Sequence, residues 1–366
     1  MDVVIIGGGI VGTAAAAFLA DAGVRVTLVE REGLASGASG ANQGIVQHPF
    51  DPILDPLYHD TLGLYRDLSA PGSGFHLPDE PTGMLFVSPD EEVTRAEAAE
   101  ISETFDHVRT DVIGGADLHR LEPSLAEGLW ACRADIGFPV APGASTYAYA
   151  TRAESLGAVI RQGRAATVAV EGGAVVGVQA GGRLIPADAV LIAAGPWTSD
   201  LLEPLGRGVP IVPRWGVVIE ADVASPPRHI LEEGGIGSML AGQEEGPEQD
   251  FSLVPFADTS AIGATFLVDE PVPEDWIERI LTRAMAFVPG VEDAPIRSVR
   301  ACARPMCTDG RPLIGPVPGV AGLYVCAGHG PWGISTGPAS AWLVTDAILG
   351  RDPFIPPELH PARFLA

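Results

Sequence analysis

Residues 3–6, Val-Val-Ile-Ile, run directly into Gly7-Gly8-Gly9-Ile10-Val11-Gly12, and this junction constrains the fold more than any other stretch of the chain. A short β-branched run reads as a strand buried on both faces of a parallel sheet. Each glycine of the G-x-G-x-x-G that follows has its own task. Gly7 permits a tight turn, Gly9 lets a pyrophosphate approach the backbone, and Gly12 lets helix and strand pack closely. The alanine-rich segment 13–22 is expected to be the helix, stopping at Gly23, and 24–29 the second strand. That strand ends at Glu30, 18 residues after Gly12, where a carboxylate accepts hydrogen bonds from ribose hydroxyls. The unit reads as a βαβ module that holds an ADP moiety with its phosphates at the helix N-terminus. By itself it leaves open whether that moiety belongs to FAD or to NAD.

Composition narrows the chemistry. All 22 basic residues among the 366 are arginines, set against 47 acidic residues, for a net charge of −25. Without lysine there is no internal Schiff base and no P-loop lysine. The acidic field disfavours a nucleic-acid backbone or an anionic membrane surface as partner. Hydrophobic residues at 46% and charged ones at 19% suit a packed protein rather than a disordered one. No apolar run is long enough to span a bilayer, and the N-terminus lacks the basic leader of a signal peptide, so a cytoplasmic location is expected. Cys132, Cys302, Cys307 and Cys326 are too scattered for a disulfide framework or a paired metal-ligand spacing, so no metal is expected.

Further segments extend the pattern. Leu34 to Gly44 is a loop of small residues carrying Ser36, Ser39, Asn42 and Gln43, suited to running close to a cofactor. Residues 168–170, 175–180 and 183–185 read as a three-stranded meander, and 187–194 as a buried strand ending in Ala194-Gly195-Pro196-Trp197. Near the C-terminus, Arg304 to Gly315 precedes the strand 323–327, then Gly328-His329-Gly330-Pro331-Trp332-Gly333-Ile334 and a helix from about Pro338 to Leu349. The positive end of such a helix stabilises negative charge. Alternation in 216–221 and 262–268 suggests an antiparallel sheet with one covered face. The acidic run 242–250 reads as a solvated loop.

Taken together, the Gly7–Glu30 unit, the Ser36–Gly44 loop, the strand ending Ala193-Ala194-Gly195 and the Arg304-to-Gly330 run resemble the D-amino-acid oxidase family of FAD enzymes, which includes glycine oxidase and sarcosine oxidase. The resemblance implies an α/β fold. A discontinuous Rossmann-like FAD-binding domain of the glutathione-reductase type (1–44, 142–212, 298–366) is interrupted by a substrate domain on an antiparallel β-sheet (45–141, 213–297). It implies oxidation of the C–N bond of a small amino acid or secondary amine, with hydride passing to flavin N5 and the imine then hydrolysing. Cofactor positions carried over are Gly7, Gly9, Ile10, Val11, Gly12, Glu30, Arg31, Ser36, Ser39, Asn42, Gln43, Gly44, Val168, Ala194, Gly195, Trp197, Gly328, His329, Gly330, Trp332, Gly333 and Ile334.

Arg304 is the expected catalytic-site cation, its planar fork holding a substrate carboxylate, against the alternative of pairing with Asp309. His48, Trp215 and Trp332 are expected at the substrate, with Phe256 as a further wall residue. In the sarcosine-oxidase branch a cysteine two residues before this arginine position carries covalent flavin. Cys302 stands there, and its other reading is a small buried thiol. His329 reads as a cofactor contact or as a general base. That branch also uses a lysine near the flavin to assist oxygen, and this chain has none. Modest oxygen reactivity follows, with oxygen or another acceptor taking the electrons. Two alternatives stand beside this reading: an FAD-dependent 2-hydroxy-acid or polyol-phosphate dehydrogenase, and an FAD-carrying subunit of a heteromeric amine dehydrogenase.

Overall fold

The computed structural model describes residues 1–235 and 248–365. Its first sheet has six strands in the order Leu313–Pro316, Leu323–Ala327, Ala189–Ile192, Asp2–Ile6, Arg25–Val29 and Val159–Arg161. All neighbours are parallel except the first pair. Side chains of Asp2–Ile6 alternate between two cores. Val3 and Ile5 face the one built on the long helices, whereas Val4 and Ile6 face the one beneath the meander Ala166–Glu171, Ala174–Ala180 and Arg183–Pro186. Burial on both sides is why this strand is a continuous apolar run.

The first helix spans Ile10–Asp21, one turn earlier than its alanine content suggests. Gly9 caps it, so the last residues of the glycine motif lie inside the helix. Its alanines let it pack closely against the helices Ala144–Ser155 and Gly333–Ile348. The latter also begins earlier than expected, with Pro338 in its interior. A proline there removes the N–H that would bond the carbonyl four residues back. Tyr65 Oη supplies the missing donor, reaching the Ile334 carbonyl at 2.8 Å.

The second sheet has eight strands, in the order Ile296–Cys307, Ile211–Ala221, Ser260–Thr265, Gln249–Pro255, Ile230–Glu233, Met84–Ser88, Trp130–Ala134 and Thr110–Gly114. It is antiparallel except between Ile230–Glu233 and Met84–Ser88. The expectation of one covered face is corrected, because Ser260–Thr265 is buried at every residue. Val217, Ile219 and Ile262 pack in a core with the helix Ile277–Met285, while Val218, Val254 and Ala261 pack in another with Ala98 and Ile101 of the helix Glu91–Thr104. The acidic run is also corrected at its end. Residues 242–247 lie outside the described residues, but Gln249 and Asp250 begin a strand and Asp250 is buried. Ile296–Cys307 pairs with Ile211–Ala221 along its length, so Arg304 hangs from the larger sheet. The helix Asp55–Leu68 instead packs on Gly333–Ile348 beside the first sheet.

Candidate active site

A cavity of about 410 Å³ runs from the C-terminal edge of the first sheet onto the face of the second. At one end the walls are largely backbone. Gly7 adopts φ +118°, and a Cβ placed on it would lie 2.2 Å from the Ala193 carbonyl oxygen. A Cβ on Gly12 would come within 2.0 Å of the Gly7 carbonyl oxygen. Turn, strand and helix therefore touch through backbone alone, as the motif requires. The helix N-terminus at Gly9 has no side-chain cap, and Ser39 Oγ accepts from the Ile10 N–H at 2.9 Å. Glu30 accepts from the N–H groups of Gly8 at 2.6 Å and Glu32 at 2.8 Å, which fixes its carboxylate beside the glycine turn. Arg31 lies over the Trp197 ring at 4.4 Å, and both line the cavity.

The second glycine loop closes the same space. His329, Gly330, Trp332, Gly333, Ile334 and Ser335 line it, at the start of the helix Gly333–Ile348. His329 is buried, and its Nε2 has no hydrogen-bond partner among the described residues. Burial pushes its imidazole down to about 4, so the ring is neutral near pH 7. An orphaned buried nitrogen is costly unless a bound group satisfies it. The glycine-started helix, the side-chain-free turn, the strand-end carboxylate and this nitrogen fit a flavin dinucleotide.

The other end is built from side chains on several strands of the larger sheet. The guanidinium of Arg304 lies over Gly216: a Cβ there would be 2.5 Å from Nη1. Nη1 donates to the Thr265 carbonyl at 2.7 Å, and the group stacks at 4.4 Å on Phe266. No ion pair among the described residues includes Arg304. Asp309 pairs with Arg363 at 2.7 Å, which removes it as Arg304's partner. Three and four strands along the sheet from Arg304 come Asp250 and Glu232, both buried and both lining the cavity. Asp250 accepts from the Ala264 N–H at 3.1 Å, and Glu232 from Gln47 Nε2 at 2.9 Å. Burial, reinforced by Asp250, raises the Glu232 carboxyl to about 8. Burial also raises Asp250 to about 6, with Arg304 pulling in the opposite direction.

Most expected positions converge here: Gly7, Gly9, Ile10, Val11, Glu30, Arg31, Ser36, Ser39, Asn42, Gln43, Gly44, Ala194, Gly195, Trp197, His329, Gly330, Trp332, Gly333, Ile334, Cys302 and Arg304 all line the cavity. Others do not. Gly12 instead packs against the Gly7 carbonyl, and Gly328 against Ile211 and Cys307. Val168 packs with the meander core, and the wall is formed by Arg164, Ala165 and Ala166, because the meander's first strand enters earlier than its apolar residues suggest. Trp215 packs with the core under the larger sheet, and His48 is buried against Tyr58 and Phe105 with its Nε2 2.7 Å from Asp55. Phe256 also lies outside the lining, packed with the core that contains Val254. Cys302 is a buried thiol whose pKa is raised by burial, opposite to the thiolate that covalent attachment requires. Gln47, Glu232, Asp250 and Ser252 line the cavity without having been singled out by the sequence.

This two-sheet architecture with a dinucleotide cavity is that of a flavin-dependent oxidoreductase, and comparison with known proteins specifies which. Residues 2–347 match the family described as DAO, FAD dependent oxidoreductase, and the chain belongs to that family. It is 30% identical to a glycine oxidase of Pseudomonas aeruginosa, over 97% of this chain and 96% of that protein. Among solved structures it is similar to glycine oxidase from Bacillus cereus (TM-score 0.83, 26% identity, 96% of each chain). It is equally similar to iminodiacetate oxidase from Chelativorans sp. BNC1 (TM-score 0.85, 25% identity, 98% of each chain). No helix among the described residues is long and apolar enough to cross a membrane.

Proposed function

We propose that this chain oxidises the C–N bond of a small amine that carries a carboxylate. The observation that carries the reading is Arg304: a guanidinium in the cavity, braced by the Thr265 carbonyl and Phe266, with no carboxylate of the described protein paired to it. Its free edge suits a bidentate carboxylate. Asp250 and Glu232 lie three and four strands further along the same sheet and line the same cavity, so they meet the amine end of the same molecule. An ionised Asp250 holds the substrate ammonium and accepts its proton, leaving the amine neutral for reaction. His329, neutral and buried, would offer its Nε2 to the cofactor and is not needed as a base.

FAD held between the two glycine loops supplies the acceptor for the hydride of the carbon that bears the amine. Gly7, Gly9, Glu30 and Ser39 would hold its ADP half, and the loop from His329 to Ser335 its ring. The helix end at Gly333 offers positive charge toward that ring. The names of the relatives, glycine oxidase and iminodiacetate oxidase, agree with carboxylated amines.

Product analysis tests the chemistry. Anaerobic reduction by amino acids or N-alkyl amino acids is expected to release ammonia or an alkylamine together with an oxo acid. Reduction by 2-hydroxy acids or polyol phosphates instead, with no amine released, would assign the other flavin reaction.

A further inference from the structure

A second cluster lies outside the cavity. Asp55 opens the helix Asp55–Leu68 and His59 follows it at i,i+4, so the two share one face. His107, in the loop after the helix Glu91–Thr104, meets both. The separations are His59 Nε2 to His107 Nε2 3.1 Å, His59 Nε2 to Asp55 Oδ1 3.3 Å, and His107 Nε2 to Asp55 Oδ1 3.2 Å. These three atoms form a nearly equilateral triangle.

Protons do not satisfy this triangle. Each Nε2 bears at most one hydrogen, and the carboxylate oxygen bears none when ionised. If both rings aim their N–H at Oδ1, two donors confront each other across the His59–His107 edge. If one ring donates to the other, the accepting nitrogen turns its lone pair toward the oxygen. A cation at the centre uses all three lone pairs. The centre of such a triangle is about 1.8 Å from each corner, so an ion about 2.0–2.1 Å from each ligand sits just above its plane. At that bond length the edges of a regular tetrahedron are about 3.3 Å, which the observed separations match.

A buried histidine orients Asp55. His48 Nδ1 accepts from the Phe50 N–H at 3.1 Å, so in the neutral ring the hydrogen is on Nε2, which donates to Asp55 Oδ1 at 2.7 Å. His48 is therefore a positioning residue and not a ligand. His59 and His107 are exposed, so the fourth position faces solvent.

We propose that Asp55, His59 and His107 bind a divalent transition metal of the Zn²⁺ class, with a water as fourth ligand. Two imidazoles and one carboxylate select such an ion over Ca²⁺ or Mg²⁺, which take oxygen ligands. The ion acts as a clamp between the two cores. The Asp55 helix sends Leu57, Leu62 and Tyr65 into the core beside the first sheet, whereas Phe105 and Val108, flanking His107, belong to a core of the larger sheet. The clamp is also close to the cavity, since His48 adjoins Gln47, the residue that donates to Glu232.

The test uses the full-length, FAD-loaded protein, stripped with a chelator and titrated with Zn²⁺ by calorimetry, with thermal melts in parallel. One ion is expected per chain, with a rise in Tm at saturation. His59→Ala and His107→Ala should each weaken binding at least tenfold and abolish the rise. Both residues are exposed, so neither change disturbs a core. His76→Ala, an exposed histidine outside the cluster, should retain both effects. Failure to take up one equivalent, or uptake that survives His59→Ala and His107→Ala, would overturn the proposal.

Discussion

The two ends of the cavity are built in opposite ways. At the cofactor end the wall is largely backbone, and glycines bring strand, turn and helix into contact: Gly7 against Ala193, Gly12 against Gly7. At the substrate end the wall is side chains from strands far apart in sequence, with Glu232, Asp250 and Arg304 brought together only by the register of the larger sheet. At Gly7 and Gly12 one end therefore tolerates no added atom, while the other is tuned by single side-chain charges. This difference explains how a cofactor can stay constant while substrates vary over the same fold.

Three substitutions probe that contrast. The largest effect is expected from Gly7→Ala. Its φ of +118° and the 2.2 Å approach to Ala193 leave no accommodation for a methyl group, so the turn must move. Purified protein should contain less than about a tenth of the normal flavin and melt earlier. Normal flavin content would break the backbone-cradle account. Gly216→Ala acts at the other end, where the new Cβ displaces the flexible Arg304 guanidinium rather than backbone. Flavin content should be unchanged, with KM for a carboxylated amine raised about three- to tenfold.

The smallest effect is on stability. The folded-state pKa of Glu232 is raised from 4.5 to about 8, so the folded state retains a proton that the unfolded chain releases. Its contribution is complete below pH 4.5 and is lost as pH rises through 8. Asp250, raised from 3.8 to about 6, adds a loss in the lower part of that window. Tm measured without substrate should fall between pH 5 and 8. Glu232→Gln should abolish the fall above pH 6 and lessen it below, where Asp250 still contributes. A Tm slope identical to that of the parent would remove Glu232 from the account.

These contrasts also explain what was legible in the sequence. The Gly7–Glu30 unit, the meander and the His329–Ile334 loop are local, and their residues carry conformational requirements visible in the order of the chain. Arg304 was legible only through its resemblance to a family motif. Glu232 gave no signal, because a Leu-Glu-Glu triplet looks like any strand end, and Asp250 was hidden in a run that reads as solvated. Both become site residues through strand pairing, with Glu232 opposite Ser252. Trp215 and His48 lie outside the cavity lining for the converse reason: position near a motif does not fix which face of a strand or loop a side chain takes. Asp55, His59 and His107 escaped because the third partner is 48 residues from the second and meets it only across the two cores.

The central claim is that Arg304 recognises a carboxylate at the substrate end of the cavity. Its most direct test is the rate of anaerobic flavin reduction by a carboxylated amine and by the same amine without its carboxylate, in the parent protein and in Arg304→Ala. The account predicts that the parent prefers the carboxylated amine. In Arg304→Ala that preference should shrink by about tenfold to several hundredfold while flavin content stays intact. An unchanged preference in flavin-replete Arg304→Ala would contradict it.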